Sequence, residues 1–330
     1  MKKRIITGLI MALILVPLVI MPNPSEINDN PIYYVFFILF QLVCAIMATI
    51  AATEMINMFE VEKKMSKLSK YTTIILTLVT FLNVGGAWNH LMYLDIRLFD
   101  LGVNNLALLL FTVFALLAVF VMDKNFTGSE VGKALLTIAY VGFGVAGIVL
   151  LKAVGVRFVI YVLLITVCTD VFAYFFGISF GKHKMAPTIS PKKTWEGAIG
   201  GTVMATLIAG TFALFYGYIF TPEGFLGDML NPNGLKTIFD GFSSIGAEQY
   251  NVIRPIVIIF ITVLGSVATQ MGDLVASKFK RNYEIKDFGK IFPGHGGVLD
   301  RFDSLIFVSL LFVGVVLIIQ NTFPMIQVGY

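Results

Sequence analysis

Charge is scarce in this sequence: Asp, Glu, Lys and Arg together make up 13% of 330 residues, against 57% hydrophobic. So little charge cannot clothe a water-soluble domain of this size, and 30 phenylalanines exceed what its interior would hide. Cysteine is nearly absent. Cys44 and Cys168, both inside apolar runs, give neither a disulfide framework nor a cysteine metal site. Alternating segments of about ten residues are missing, which excludes a transmembrane barrel. Internal repeats and low-complexity tracts are missing too, which weighs against a transporter built from inverted repeats. No small-x-small cleavage pattern follows the first apolar run, whose sequel is "VIMPNPSE". That run therefore reads as an uncleaved anchor rather than a signal peptide.

What the chain does have is long apolar runs. A spanning helix needs about 20 predominantly apolar residues, and the mean hydropathy of +0.86 reflects several such stretches. The expected spans are 5–22, 31–52, 71–94, 103–122, 134–151, 157–177, 197–220, 253–275 and 304–320. The fold class is an all-α polytopic membrane protein of about nine transmembrane helices. With the N-terminus cytoplasmic, every basic residue but Arg97, Lys152, Arg157, Lys236 and Arg254 falls on the inner side, as the positive-inside rule requires. The net charge of +4 thus hides a strongly basic cytoplasmic face, suited to anionic headgroups and polyphosphates.

The chain divides near residue 155. Residues 1–155 are apolar spans with short connections, a scaffold whose polar residues Glu54, Asn83, Asn89 and His90 fit helix–helix hydrogen bonding. Residues 156–330 carry two long basic loops, 181–196 and 277–303, rich in Gly and Pro. The connection at 221–252 reads as a surface loop.

The chemistry concentrates in this second part. Asp170 lies inside a span, where an ionised carboxylate costs about 2.5–3.5 kcal/mol and needs a partner or a wet cavity. Asp273 ends the eighth span, and Asp300 and Asp303 open the ninth on a shared helix face. Hard divalent cations take oxygen ligands, and Mg²⁺ commonly uses one or two carboxylates plus substrate phosphates. The four acids are the expected metal-site residues. The run "PGHGG" cannot be regular helix; Gly296 and Gly297 allow close backbone approach to phosphate, and His295 just before them can bond a phosphate or an acid. Lys280, Arg281, Lys286 and Arg301 add positive charge. In "SPKKTWEG" Ser190 is expected to cap a helix beginning at Pro191, with Lys192 and Lys193 on the same membrane face. Gly197 and Gly201 form a small-xxx-small pair for helix packing. The run "GISFGKHK" is one residue short of a P-loop and lacks its Ser or Thr.

The stretch "SKFKRNYEIKDFGKIFPGHGGVLDRFD", Ser277 to Asp303, resembles the signature of the phosphatidate cytidylyltransferases, or CDP-diacylglycerol synthases. The match includes Ser277, Lys280–Arg281, Lys286–Asp287, the His295–Gly296–Gly297 turn and Asp300-Arg301-x-Asp303. "GDL" at 272–274 and the segment 170–197 are also similar to family segments, so the likeness covers about 157–320. Ala276 stands where relatives often carry Glu, and Ile178 where they often carry Arg.

The resemblance implies transfer of a cytidylyl group from CTP to phosphatidate, Mg²⁺ dependence with K⁺ as a second site metal, and a homodimer in the bacterial inner membrane with its active site facing the cytoplasm. It implies no nucleic-acid partner. Asp273, Asp300 and Asp303, with Asp170 beside them, would form the metal site. Ser190, Lys192, Lys193, Lys280, Arg281, Lys286 and Arg301 would meet phosphates. His295 would position pyrophosphate or an acid. A CTP-dependent polyprenol or diacylglycerol kinase uses the same nucleotide but releases CDP. An ion or metabolite transporter explains intramembrane acids but not the two basic loops.

Overall fold

The computed structural model describes residues 2–22, 31–86 and 103–323. Asn89, His90, Arg97 and the end of the third expected span lie outside them. The described residues form nine long helices: α1 (Lys2–Ile20), α2 (Pro31–Phe59), α3 (Lys67–Gly86), α4 (Asn105–Met122), α5 (Gly128–Val154), α6 (Val156–Phe180), α7 (Trp195–Leu214), α8 (Ile253–Asn282) and α9 (Leu299–Thr322). Eight of them, α2 to α9, are long and apolar enough to cross a membrane. The apolar stretch of α1, Thr7–Ile20, is shorter; at 1.5 Å per residue it covers about 21 Å of a hydrocarbon core about 30 Å thick.

The helix ends follow local chemistry. Asn104 caps α4, its side chain accepting from the Leu106 amide at 2.8 Å, and a capping box of Thr127 and Glu130 starts α5. Ile138–Phe143 winds as a π segment inside α5, where Gly142 lies against the Thr77 carbonyl of α3. Thr73 and Thr77 of α3 are buried and donate to carbonyls one turn back, Ser69 O and Thr73 O.

Glycines set the closest approach in the bundle. A Cβ at Gly197 would lie 2.6 Å from Ala173 O, and one at Gly201 2.7 Å from Thr169 O, so α6 and α7 touch backbone to backbone. This bears out the small-xxx-small reading of that pair. A Gly201→Val change should cost about 1–3 kcal/mol through overpacking, measured as a fall in thermal melting temperature. A variant that melts with the parent would remove the pair's packing role.

Three of the basic residues on the far side of the topology are buried braces. Lys152 Nζ donates to Val19 O at the end of α1 (2.8 Å). Arg157 holds Ile238 O (2.7 Å) and Asp240 O (3.1 Å). Arg254 holds Ile245 O, Gly246 O and Ala247 O. The segment 221–252 is therefore not a plain surface loop. Its Ile238, Phe239, Phe242 and Ile245 are buried in one apolar core with Phe158, Tyr161 and Phe312. A second core joins Met55, Met58 and Phe59 of α2 to Val298, Leu299 and Ile306, so packing runs across the division at residue 155.

Candidate active site

The loop between α6 and α7 folds as a two-stranded antiparallel hairpin, β1 (Lys184–Ala186) and β2 (Ser190–Thr194), pairing Lys184 with Thr194 and Ala186 with Ser190. Ser190 does not cap a helix. A residue before proline is pushed toward extended backbone, and Pro191 accordingly continues a strand. The cap is Thr194, whose hydroxyl accepts from the Gly197 amide at 3.2 Å. Glu196, in the first turn of α7, fastens the hairpin's start by accepting from the Lys182 and His183 amides and pairing with His183 Nδ1 at 2.6 Å.

The hairpin walls a cavity of about 560 Å³ between α6, α7 and α8. Asp170, Asp273, Lys192, Lys193, Ser190 and Gln270 supply its polar groups, and Tyr174 and Ile178 part of its apolar rim. Lys193 Nζ lies 2.7 Å from Asp273 Oδ2 and also reaches Gln270 O at 3.2 Å. Asp303, 9% exposed, accepts from the Ser304 amide at 2.7 Å. It lies within electrostatic range of Asp273, Asp170 and Lys280. Three of the four expected acids therefore gather at one end of the bundle.

Asp300 is used differently. Its side chain is 3% exposed; Oδ1 pairs with Lys280 Nζ at 2.9 Å, and Oδ2 accepts the Phe288 and Gly297 amides at 2.8 and 2.9 Å. Among the described residues no three His, Cys, Asp or Glu side chains converge closely enough to hold a metal ion by themselves. The donor chemistry facing the cavity is a pair, Asp170 and Asp273, open on one side. That suits a cation that brings phosphate oxygens with it rather than one caged by protein.

The loop from Tyr283 to Val298 lines a second cavity of about 690 Å³ with Lys286, Lys290, His295 and Gly296, and Arg301 of α9 joins them. Phe292 and Gly296 bridge across the turn, and Gly294 and Gly296 sit at φ of 78° and 86°, where a side chain would be strained. Arg301 Nε donates to His295 O at 2.7 Å. His295 Nδ1 is buried without a hydrogen-bond partner among the described residues, so its ring retains unused bonding capacity. Arg281 Nε donates to Ile189 O (3.3 Å), joining this loop's stem to the hairpin. Of the sequence-derived residues, Asp170, Ser190, Lys192, Lys193 and Asp273 line the first cavity and Lys286, His295, Gly296 and Arg301 the second, while Asp300, Asp303, Lys280, Arg281 and Gly297 line neither. Thr194, Gln270 and Glu54 were not among them. Glu54 had a visible signal, an acid inside an apolar helix; Gln270 and Thr194 had none beyond residue type.

A helical membrane protein with acids and lysines lining one cavity presents a class of site suited to phosphate groups. Comparison with known proteins narrows the class: residues 2–319 match the model of the cytidylyltransferase family, and the chain belongs to that family. It is 34% identical over 239 residues, 71% of this chain and 79% of the relative, to a phosphatidate cytidylyltransferase of Staphylococcus saprophyticus. It is 36% identical over 211 residues, 63% and 66% of the two chains, to one of Bacillus subtilis.

Proposed function

We propose that this protein transfers the cytidylyl group of CTP to phosphatidate, giving CDP-diacylglycerol and pyrophosphate. The observation that carries the reading is a cavity bearing Asp170, Asp273, Lys192 and Lys193 in a member of the cytidylyltransferase family. A phosphatidate phosphate is already anionic near neutral pH, so its oxygen needs no strong base to attack the α-phosphorus of CTP. One P–O bond forms there, the bond to the β-phosphate bridge breaks, and pyrophosphate leaves with the electron pair. Positioning and charge neutralisation carry such a step.

Lys193, held at Asp273, and Lys192 and Ser190 beside it neutralise and orient phosphates in the hairpin cavity. Lys286, His295 and Arg301 offer a second basic surface for the outer phosphates. Asp170 and Asp273, with Asp303 close by, would hold Mg²⁺, and K⁺ as a second ion would share this acidic end. Bound there, the ion supplies charge neutralisation between nucleotide and lipid phosphates. Tyr174 and Ile178 are exposed and apolar at the cavity's rim, which leaves acyl chains a route to lipid while the headgroup turns inward. The protein works as a homodimer in the bacterial inner membrane with this cavity toward the cytoplasm, in keeping with the basic residues of its loops.

The test is purified protein with phosphatidate vesicles, Mg²⁺ and CTP labelled at either the α- or the γ-phosphate. The reading requires α-label in lipid and γ-label in pyrophosphate. Label from the γ-position in lipid, with CDP released, would make the protein a lipid kinase instead.

A further inference from the structure

We infer that Glu54 of α2 is a positioning residue for the loop 283–298, so that the first half of the chain helps to build the nucleotide side of the site. The residue is 4% exposed and spends both carboxylate oxygens on the start of α9. Oε1 accepts from the Val298 amide at 3.0 Å, and Oε2 from the Leu299 amide at 2.9 Å. These are donors that a helix N-terminus leaves without intrahelical partners, at the positive end of its dipole. An acid more than 240 residues away in sequence supplies the partner.

Two glycines of the loop carry the independent observation. A Cβ at Gly289 or at Gly297 would overlap the Glu54 carboxylate. Neither glycine has the positive φ that explains Gly294 and Gly296. The lack of a side chain at 289 and 297 is explained by room for this one carboxylate. The loop is thereby pressed on α2 from both ends, its Phe288 and Val298, with Leu299 of α9, sharing a core with Met55, Met58 and Phe59. A further bond from α1, Thr7 Oγ1 to Pro293 O at 3.3 Å, ties down its middle. Gly297 also gives its amide to Asp300, so the Glu54 contact sets where Asp300, His295 and Arg301 stand.

Its kinetic side rests on the proposed cytidylyl transfer; its structural side does not. Glu54→Gln keeps the size but presents an NH₂ group to one of two amide donors. It should raise the KM for CTP at least tenfold, leave the KM for phosphatidate within twofold, and speed tryptic cleavage at Lys286 and Lys290 at least tenfold. A loss of folded protein alone would lower the apparent kcat and leave both KM values in place.

The size exchange is the sharper arm. Gly297→Ala alone should impair CTP use and loosen the loop, and adding Glu54→Asp, which withdraws the carboxylate by one methylene, should restore both at least threefold. This arm also decides the matter if Glu54→Gln does not fold. Parental CTP KM and parental trypsin resistance in Glu54→Gln, or a Gly297→Ala defect that Glu54→Asp leaves unchanged, would overturn the inference. If the parent protein transfers no cytidylyl group, the functional reading falls, and trypsin resistance still decides the role of Glu54.

Discussion

Asp300→Ala should lower the stability of the purified protein by about 3–5 kcal/mol, the usual consequence of removing one partner of a buried ion pair. The change strands the Lys280 ammonium, whose side chain is 16% exposed, and deprives the Phe288 and Gly297 amides of their acceptor. An unmatched buried amide costs about 1–3 kcal/mol on its own, so the lysine and the two amides act in one direction. Lys280→Met should cost less, because the carboxylate keeps its two amide donors and the apolar stem of the side chain is replaced. Thermal melting and denaturant titration in mixed micelles would rank the two variants. Equal melting temperatures for Asp300→Ala and the parent would mean that the loop is held by other contacts. Full activity in Asp300→Asn would separately remove this residue from any metal-binding role.

Asp273→Asn should reduce turnover by a factor of about 10² or more, the size seen when a group that stabilises transition-state charge is lost, with little loss of stability. Its side chain is 37% exposed and, among the described residues, holds Lys193 and, at 3.4 Å, the Ser277 hydroxyl. Nothing in the fold leans on it as it leans on Asp300. The two aspartates therefore predict opposite patterns: one change damages the protein's stability, the other its rate. Turnover and melting temperature measured on the same preparations would show the contrast. An Asp273→Asn enzyme with parental turnover would move the chemistry out of the hairpin cavity.

The architecture was legible because spanning is a local property. A run of apolar residues long enough to cross the bilayer forms a helix whatever surrounds it, and eight of the nine expected spans are helices long and apolar enough to do so. The close approach of α6 and α7 was legible for the same reason, since Gly197 and Gly201 one turn apart present one smooth face. What was not legible depends on contacts between distant segments. Ser190 and Thr194 are both reasonable caps by residue type, and only the pairing of β1 with β2 selects Thr194. Asp300 and Asp303 share a helix face in sequence, yet Lys280 and two loop amides claim the first while the second sits near Asp273. Glu54 stands out as an acid inside an apolar helix, but its partners, the Val298 and Leu299 amides, lie more than 240 residues away and carry no sequence signal. Arg157 and Arg254 read as topology signals, and the carbonyls they hold could not be foreseen from charge.

The inner phosphate of the nucleotide, where the cytidylyl bond forms, belongs in the cavity between the hairpin and α8, and a cysteine probe tests that placement most directly. Cys44 and Cys168 are both buried, which favours selective labelling of a Met185→Cys variant at the cavity wall. CTP with Mg²⁺ should slow maleimide labelling of that cysteine at least tenfold, while labelling of an Asn251→Cys control at a different cavity stays unchanged. Labelling at position 185 that proceeds at the same rate with saturating CTP would contradict the account.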